Sequence, residues 1–94
     1  MKAIVNLYAD EPNQLSKFLS SFYNSDFDEL KNCLKWEKEY NNPIEIAEIV
    51  GIFADNIDDF RLNMWISLDK DVYINITKDN VNRVIKYLYE RFPY

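Results

Sequence analysis

The side chains that could carry covalent or acid–base chemistry in this sequence are few and poorly matched to one another. No histidine occurs among its 94 residues. That removes Ser-His-Asp and Cys-His nucleophile activation, imidazole ligation of metals and the commonest general base near neutral pH. Cys33 is the single cysteine. Lys31 or Lys35 can lower its pKa, but a lone cysteine beside a strand reads first as a small buried hydrophobe. Carboxylate pairs stand at Glu37/Glu39, Asp58/Asp59 and Asp69/Asp71. Two acids suffice for a glycosidase only inside a cleft that drives their pKa values apart, whereas Asp58/Asp59 and Asp69/Asp71 fall in expected turns, where Asp is favoured for backbone reasons. Asp55-Asn56-Ile57-Asp58-Asp59 offers oxygen ligands but lacks the central Gly and distal Glu of a calcium loop. Gly51 is the one glycine, and phosphate-cradling loops need several. The sequence therefore predicts no catalytic residue, no metal site and no cofactor.

What remains is a candidate for binding. From Phe60 to Thr77, Leu62, Met64, Ile66 and Leu68 alternate with Arg61, Asn63, Trp65 and Ser67, and a second arm reads Val72, Ile74, Ile76. A loop of Asp69-Lys70-Asp71 pairs Leu68 with Val72, Ile66 with Ile74 and Met64 with Ile76, which keeps every apolar residue on one face; a two-residue loop mismatches each pair. The other face then sets Asn63, Trp65 and Ser67 opposite Thr77, Asn75 and Tyr73. Trp and Tyr are rigid anchors enriched at binding hot spots, so Asn63, Trp65, Tyr73 and Asn75 are the candidate protein-binding residues. The competing expectation is ordinary packing, because strands favour these aromatics anyway and a helix can cover them.

The elements that must position this face follow from periodicity. Residues 2 to 9 alternate as a strand, with Ala3, Val5 and Leu7 inward and Lys2, Asn6 and Tyr8 outward. Asp10 or Glu11 is expected to cap a helix with Pro12 in its first turn and Leu15, Phe18, Leu19 and Phe22 on its apolar stripe. A helical turn within residues 26 to 32 precedes a strand carrying Leu34, Trp36 and Tyr40, which Lys38 assigns to a sheet edge. Asn42 and Pro43 fit N-cap and N1 of a second helix with Glu45 at N3, although mid-helix Gly51 costs ~1 kcal/mol. After the hairpin, Asp79 is expected to cap a last helix with Val81, Val84, Ile85, Leu88 and Phe92 on one side, stopped by Pro93. The stripes predict a shared core of Leu15, Phe18, Leu19, Phe22, Met64, Ile66, Ile74, Ile76, Val81, Ile85 and Leu88.

The expected fold is therefore one α+β domain over residues 1–94, two-layered, in the order β-α-β-α-β-β-α, with helices on one face of a mostly antiparallel four-stranded sheet. Acids number 16 against 11 basic residues, for a net charge of −5. Such a chain repels nucleic acids and anionic lipid surfaces. An aromatic sheet face otherwise suits stacking on single-stranded RNA, but the basic surroundings and the glycine-bearing motif are missing. No apolar stretch approaches the ~20 residues of a membrane span. A lone cysteine and the absence of a signal-like apolar run suggest the cytoplasm, and the abundance of Asn, Ile, Lys and Tyr suggests an AT-rich bacterial or phage source. The reading that follows is a non-catalytic module that binds a protein, for example a basic one, as an inhibitor, immunity-type or regulatory partner. A homodimer is compatible with it. The alternatives are a small carboxylate-using enzyme or ligand-binding domain completed at an oligomer interface, and a structural subunit.

Overall fold

The computed structural model describes residues 2–68 and 72–91. Its elements run β1 (Ala3–Ala9), α1 (Gln14–Tyr23), a short 3-10 turn (Asp28–Leu30), β2 (Lys35–Tyr40), α2 (Pro43–Asp55), β3 (Leu62–Ser67), β4 (Tyr73–Asn75) and α3 (Val81–Arg91). This is the expected α+β order. The strands form one four-stranded sheet ordered β2-β1-β3-β4, and every neighbouring pair is antiparallel.

Alternation decides which side of each strand is buried. Ala3, Val5, Leu7 and Ala9 of β1 and Leu62, Met64 and Ile66 of β3 point into one core with Leu15, Phe18 and Leu19 of α1, Ile46, Ile49, Val50 and Phe53 of α2, and Val84 and Leu88 of α3. Phe18 lies at the centre, its ring edge-on to Phe53 at 5.9 Å and to Phe60 at 5.4 Å, so it joins α1 to α2 and to the segment entering β3. Of the expected core, Phe22, Ile74, Val81 and Ile85 are only partly buried against this cluster. For Ile74 the cause is position, since three-residue β4 is an outer strand with a neighbour on one side only.

The hairpin register is the expected one. Ile66 faces Ile74, the Leu68 N–H donates to the Val72 carbonyl at 3.0 Å, and the Ile76 N–H donates to the Met64 carbonyl at 2.9 Å. The Asp69-Lys70-Asp71 loop itself lies outside the described residues, as do Phe92 and Pro93. Helix α2 begins as its sequence dictates: the Asn42 side chain accepts from the Ile44 N–H at 2.9 Å and Pro43 occupies the first turn, where its missing N–H costs nothing.

Two helix starts differ from expectation. α1 is led in by Asn13, in the left-handed region at φ 74°, and not by Asp10 or Glu11. The Asn13 N–H is taken by the Lys31 carbonyl at 2.6 Å, so a tertiary contact sets this start, and Asn tolerates the conformation. Before α3, the Thr77 hydroxyl accepts from the Asn80 N–H while the Asn80 side chain accepts from the Thr77 N–H. This reciprocal pair does the work of a capping box and displaces Asp79 from that role.

An uncovered sheet face as candidate functional site

Because α1, α2 and α3 all contribute to the single core on the Val5/Met64 side of the sheet, the opposite side has no helix over it among the described residues. Register places its residues in rows. Asn6 is paired with Trp65 and Tyr8 with Asn63 across β1 and β3, Trp65 with Asn75 and Ser67 with Tyr73 across β3 and β4, and Asn6 with Glu37 and Tyr8 with Lys35 across β1 and β2. The four candidates Asn63, Trp65, Tyr73 and Asn75 therefore share one face, and all four are exposed. Trp65 retains 36% and Tyr73 62% of their accessible surface. Among the described residues neither packs beneath a helix.

Sequence reasoning placed Asn6 and Tyr8 outward but did not join them to the hairpin. They lie on the same face. Tyr8, 39% exposed, extends the aromatic row, with the Lys35 ammonium 5.7 Å from its ring centroid. Asn6 is the one residue of the row that is buried, at 6%. Its amide nitrogen donates to the Trp65 carbonyl at 3.2 Å and to the Ser67 hydroxyl at 3.0 Å, so it ties β1 to β3 while its buried donors are satisfied. Toward β2 the face becomes charged but balanced: Lys2 pairs with Glu39 at 3.8 Å, and Lys35 stands beside Glu37. A shallow trough of about 560 Å³ crosses it from Lys35 to Tyr73.

A second concave region was not anticipated. The end of α1, the edge strand β2 and α2 enclose a groove of about 600 Å³ lined in part by Phe22, Tyr23, Lys38, Tyr40 and Ile52. Lys38, which broke the apolar pattern of β2, does lie on an outer strand. It stays exposed, with its ammonium 5.2 Å and 5.0 Å from the Tyr23 and Tyr40 ring centroids and donating to the Tyr23 hydroxyl at 3.3 Å, a cation–π arrangement. The two tyrosine hydroxyls are 2.6 Å apart. Burial, the Tyr23 hydrogen bond and the neighbouring Tyr23 and Glu45 charges push the Tyr40 phenol well above the ordinary tyrosine range, so it stays protonated and is no base near neutral pH. The signal for this groove lay in Lys38 between Trp36 and Tyr40, but its walls come from segments far apart in the chain.

The remaining candidates for chemistry are dispersed. Cys33 is partly exposed and unpaired by disulfide. Asp58 and Asp59 occupy a turn, and Asp58 is engaged by Lys78; Asp69 and Asp71 lie outside the described residues. Glu37 and Glu39 line the trough on the uncovered face. Among the described residues no group of Cys, Asp and Glu is arranged to hold a metal ion, and no helix is long and apolar enough to cross a membrane. Comparison with protein-family models, curated proteins and solved structures finds no match to this chain.

Proposed function

We propose that this chain is a protein-binding module that docks a basic protein on the uncovered sheet face, with Trp65 and Tyr73 as anchors and Asn63 and Asn75 as polar contacts. One observation carries the reading: no described helix covers this side of the sheet, and Trp65, Tyr73 and Tyr8 are exposed on it in adjoining rows. Aromatic side chains flanked by amides supply rigid contact area with polar tips, the composition of a hot spot and its rim. Charge selects the partner. A net charge of −5 steers a cationic protein toward the chain and opposes the approach of a second copy, while the balanced face itself adds no like-charge repulsion once contact is made.

The test is retention of interacting proteins from the source cell by the wild type, by Trp65→Ala and by Tyr89→Ala, the last an exposed aromatic on α3. A basic protein retained by wild type and Tyr89→Ala, lost from folded Trp65→Ala and released by raised salt supports the proposal. Retention unaffected by Trp65→Ala overturns it. So does light scattering that shows a wild-type dimer made monomeric by Trp65→Ala, which identifies a second copy as the occupant.

A further inference from the structure

The groove between α2 and β2 carries the acidic character that the sheet face lacks. Glu45, Glu48, Ile52 and Asp55 line it from α2, at spacings of three, four and three residues that form one helical stripe. Among the described residues none of these three carboxylates enters an ion pair, in contrast to Glu11, Glu39 and Asp58. The one cation of the lining, Lys38, is already held over the Tyr23 and Tyr40 rings. The groove thus combines an aromatic wall with an excess of unpaired negative charge.

Gly51 gives an independent indication. It sits inside α2 in the groove lining, where glycine is unfavourable to a helix. Its φ is not positive, and a Cβ built on it meets nothing within 4 Å. Among the described residues neither backbone conformation nor packing requires glycine there, and the groove is open beside it.

We propose that this groove receives a cationic segment of a partner protein, seating an apolar side chain against Phe22, Tyr40 and Ile52 and flanking Lys or Arg side chains on Glu45, Glu48 and Asp55. The reading shares the basic partner with the sheet-face proposal but rests on different residues, on the other side of the sheet.

The probe is a fluorescein-labelled heptapeptide of alternating Lys and Leu, with the Glu and Leu counterpart as control, titrated by anisotropy. The Lys peptide should bind and the Glu peptide should not. Gly51→Phe, which fills the groove, should weaken binding about tenfold or more, the equivalent of ~1.4 kcal/mol. Glu48→Gln should weaken it more than Asp10→Asn, which makes the same charge change elsewhere, and Trp65→Ala should leave it unchanged. In the unmodified protein, amide shifts on titration should concentrate at Ala47, Gly51 and Ile52, a readout that does not depend on Gly51→Phe folding. Equal binding of both peptides, binding of neither, or shifts spread over β3 and β4 in place of α2 overturn the groove assignment. Loss of peptide binding in Trp65→Ala alone would move the cationic segment to the sheet face, so the two sites fail separately.

Discussion

The two sides of β3 are built from the same six residues and obey opposite rules. Leu62, Met64 and Ile66 vanish into the core, while Asn63 and Trp65 stay exposed. The difference comes from what the rest of the chain supplies. Three helices bring apolar stripes to one side, and no described helix lies over the other, where the Asn6 amide ties β1 to β3. Side-chain alternation thus tells which residues share a face, but only the helices decide which face is closed. Substitutions on the two sides should separate folding from binding.

The largest effect is expected at the centre of the closed side. Phe18→Ala removes a fully buried ring and its two edge-on partners, and should lower stability by about 3–5 kcal/mol, read as a reduced denaturation midpoint. A loss below 1 kcal/mol would show that the core is not organised around this ring. On the open side, Asn6→Ala leaves the Trp65 carbonyl and the Ser67 hydroxyl without their amide donor. It should cost about 1–3 kcal/mol by the same measurement, which would show that this face has one structural residue among its exposed ones. Trp65→Ala should cost about 1 kcal/mol or less, the scale of a cross-strand pair, and leave the circular dichroism spectrum unchanged. Unfolding by this variant would make the two faces equivalent and end the contrast.

A pH experiment sharpens the comparison with a group at the margin of the closed side. Since the Tyr40 pKa is raised on folding, the associated stability is present below the ordinary tyrosine pKa of about 10 and is lost as pH rises above it, at up to ~1.4 kcal/mol per pH unit. Tyr40→Phe should flatten that alkaline decline in urea midpoints measured between pH 9 and 11. The smallest effect has the opposite sign: Gly51→Ala should raise stability by about 0.5–1 kcal/mol through helix propensity, and a decrease would reveal a contact that fills the groove.

Local pattern made much of this legible. The hairpin register followed from keeping Leu62 to Leu68 and Val72 to Ile76 on one face, and α2 from Asn42-Pro43 with its apolar period. Lys38 located an outer strand. Strand order was not legible, because nothing in β1 records that its neighbours are β2 and β3; Asn6 and Tyr8 were therefore not linked to Trp65. The starts of α1 and α3 depend on the Lys31 carbonyl and the Thr77/Asn80 exchange, neither of which is a single-residue preference. Of the groove, Lys38 between Trp36 and Tyr40 marked one wall, but that Tyr23 and Gly51 line it too depends on tertiary packing that sequence spacing does not carry.

Trp36 and Trp65 are the only tryptophans, and strand alternation sets them on opposite sides of one sheet, Trp36 paired with Leu7 and packed on the core, Trp65 paired with Asn6 on the open side. The protein is in effect a two-channel fluorophore. With Trp36→Phe, emission and acrylamide quenching report only from the open face, so an occupant there should shift the spectrum to the blue and shield it from quencher. With Trp65→Phe, the remaining indole reads the helix-covered side and should respond chiefly to unfolding. Light alone can then distinguish a docked chain from a denatured one, in a single cuvette and without a label.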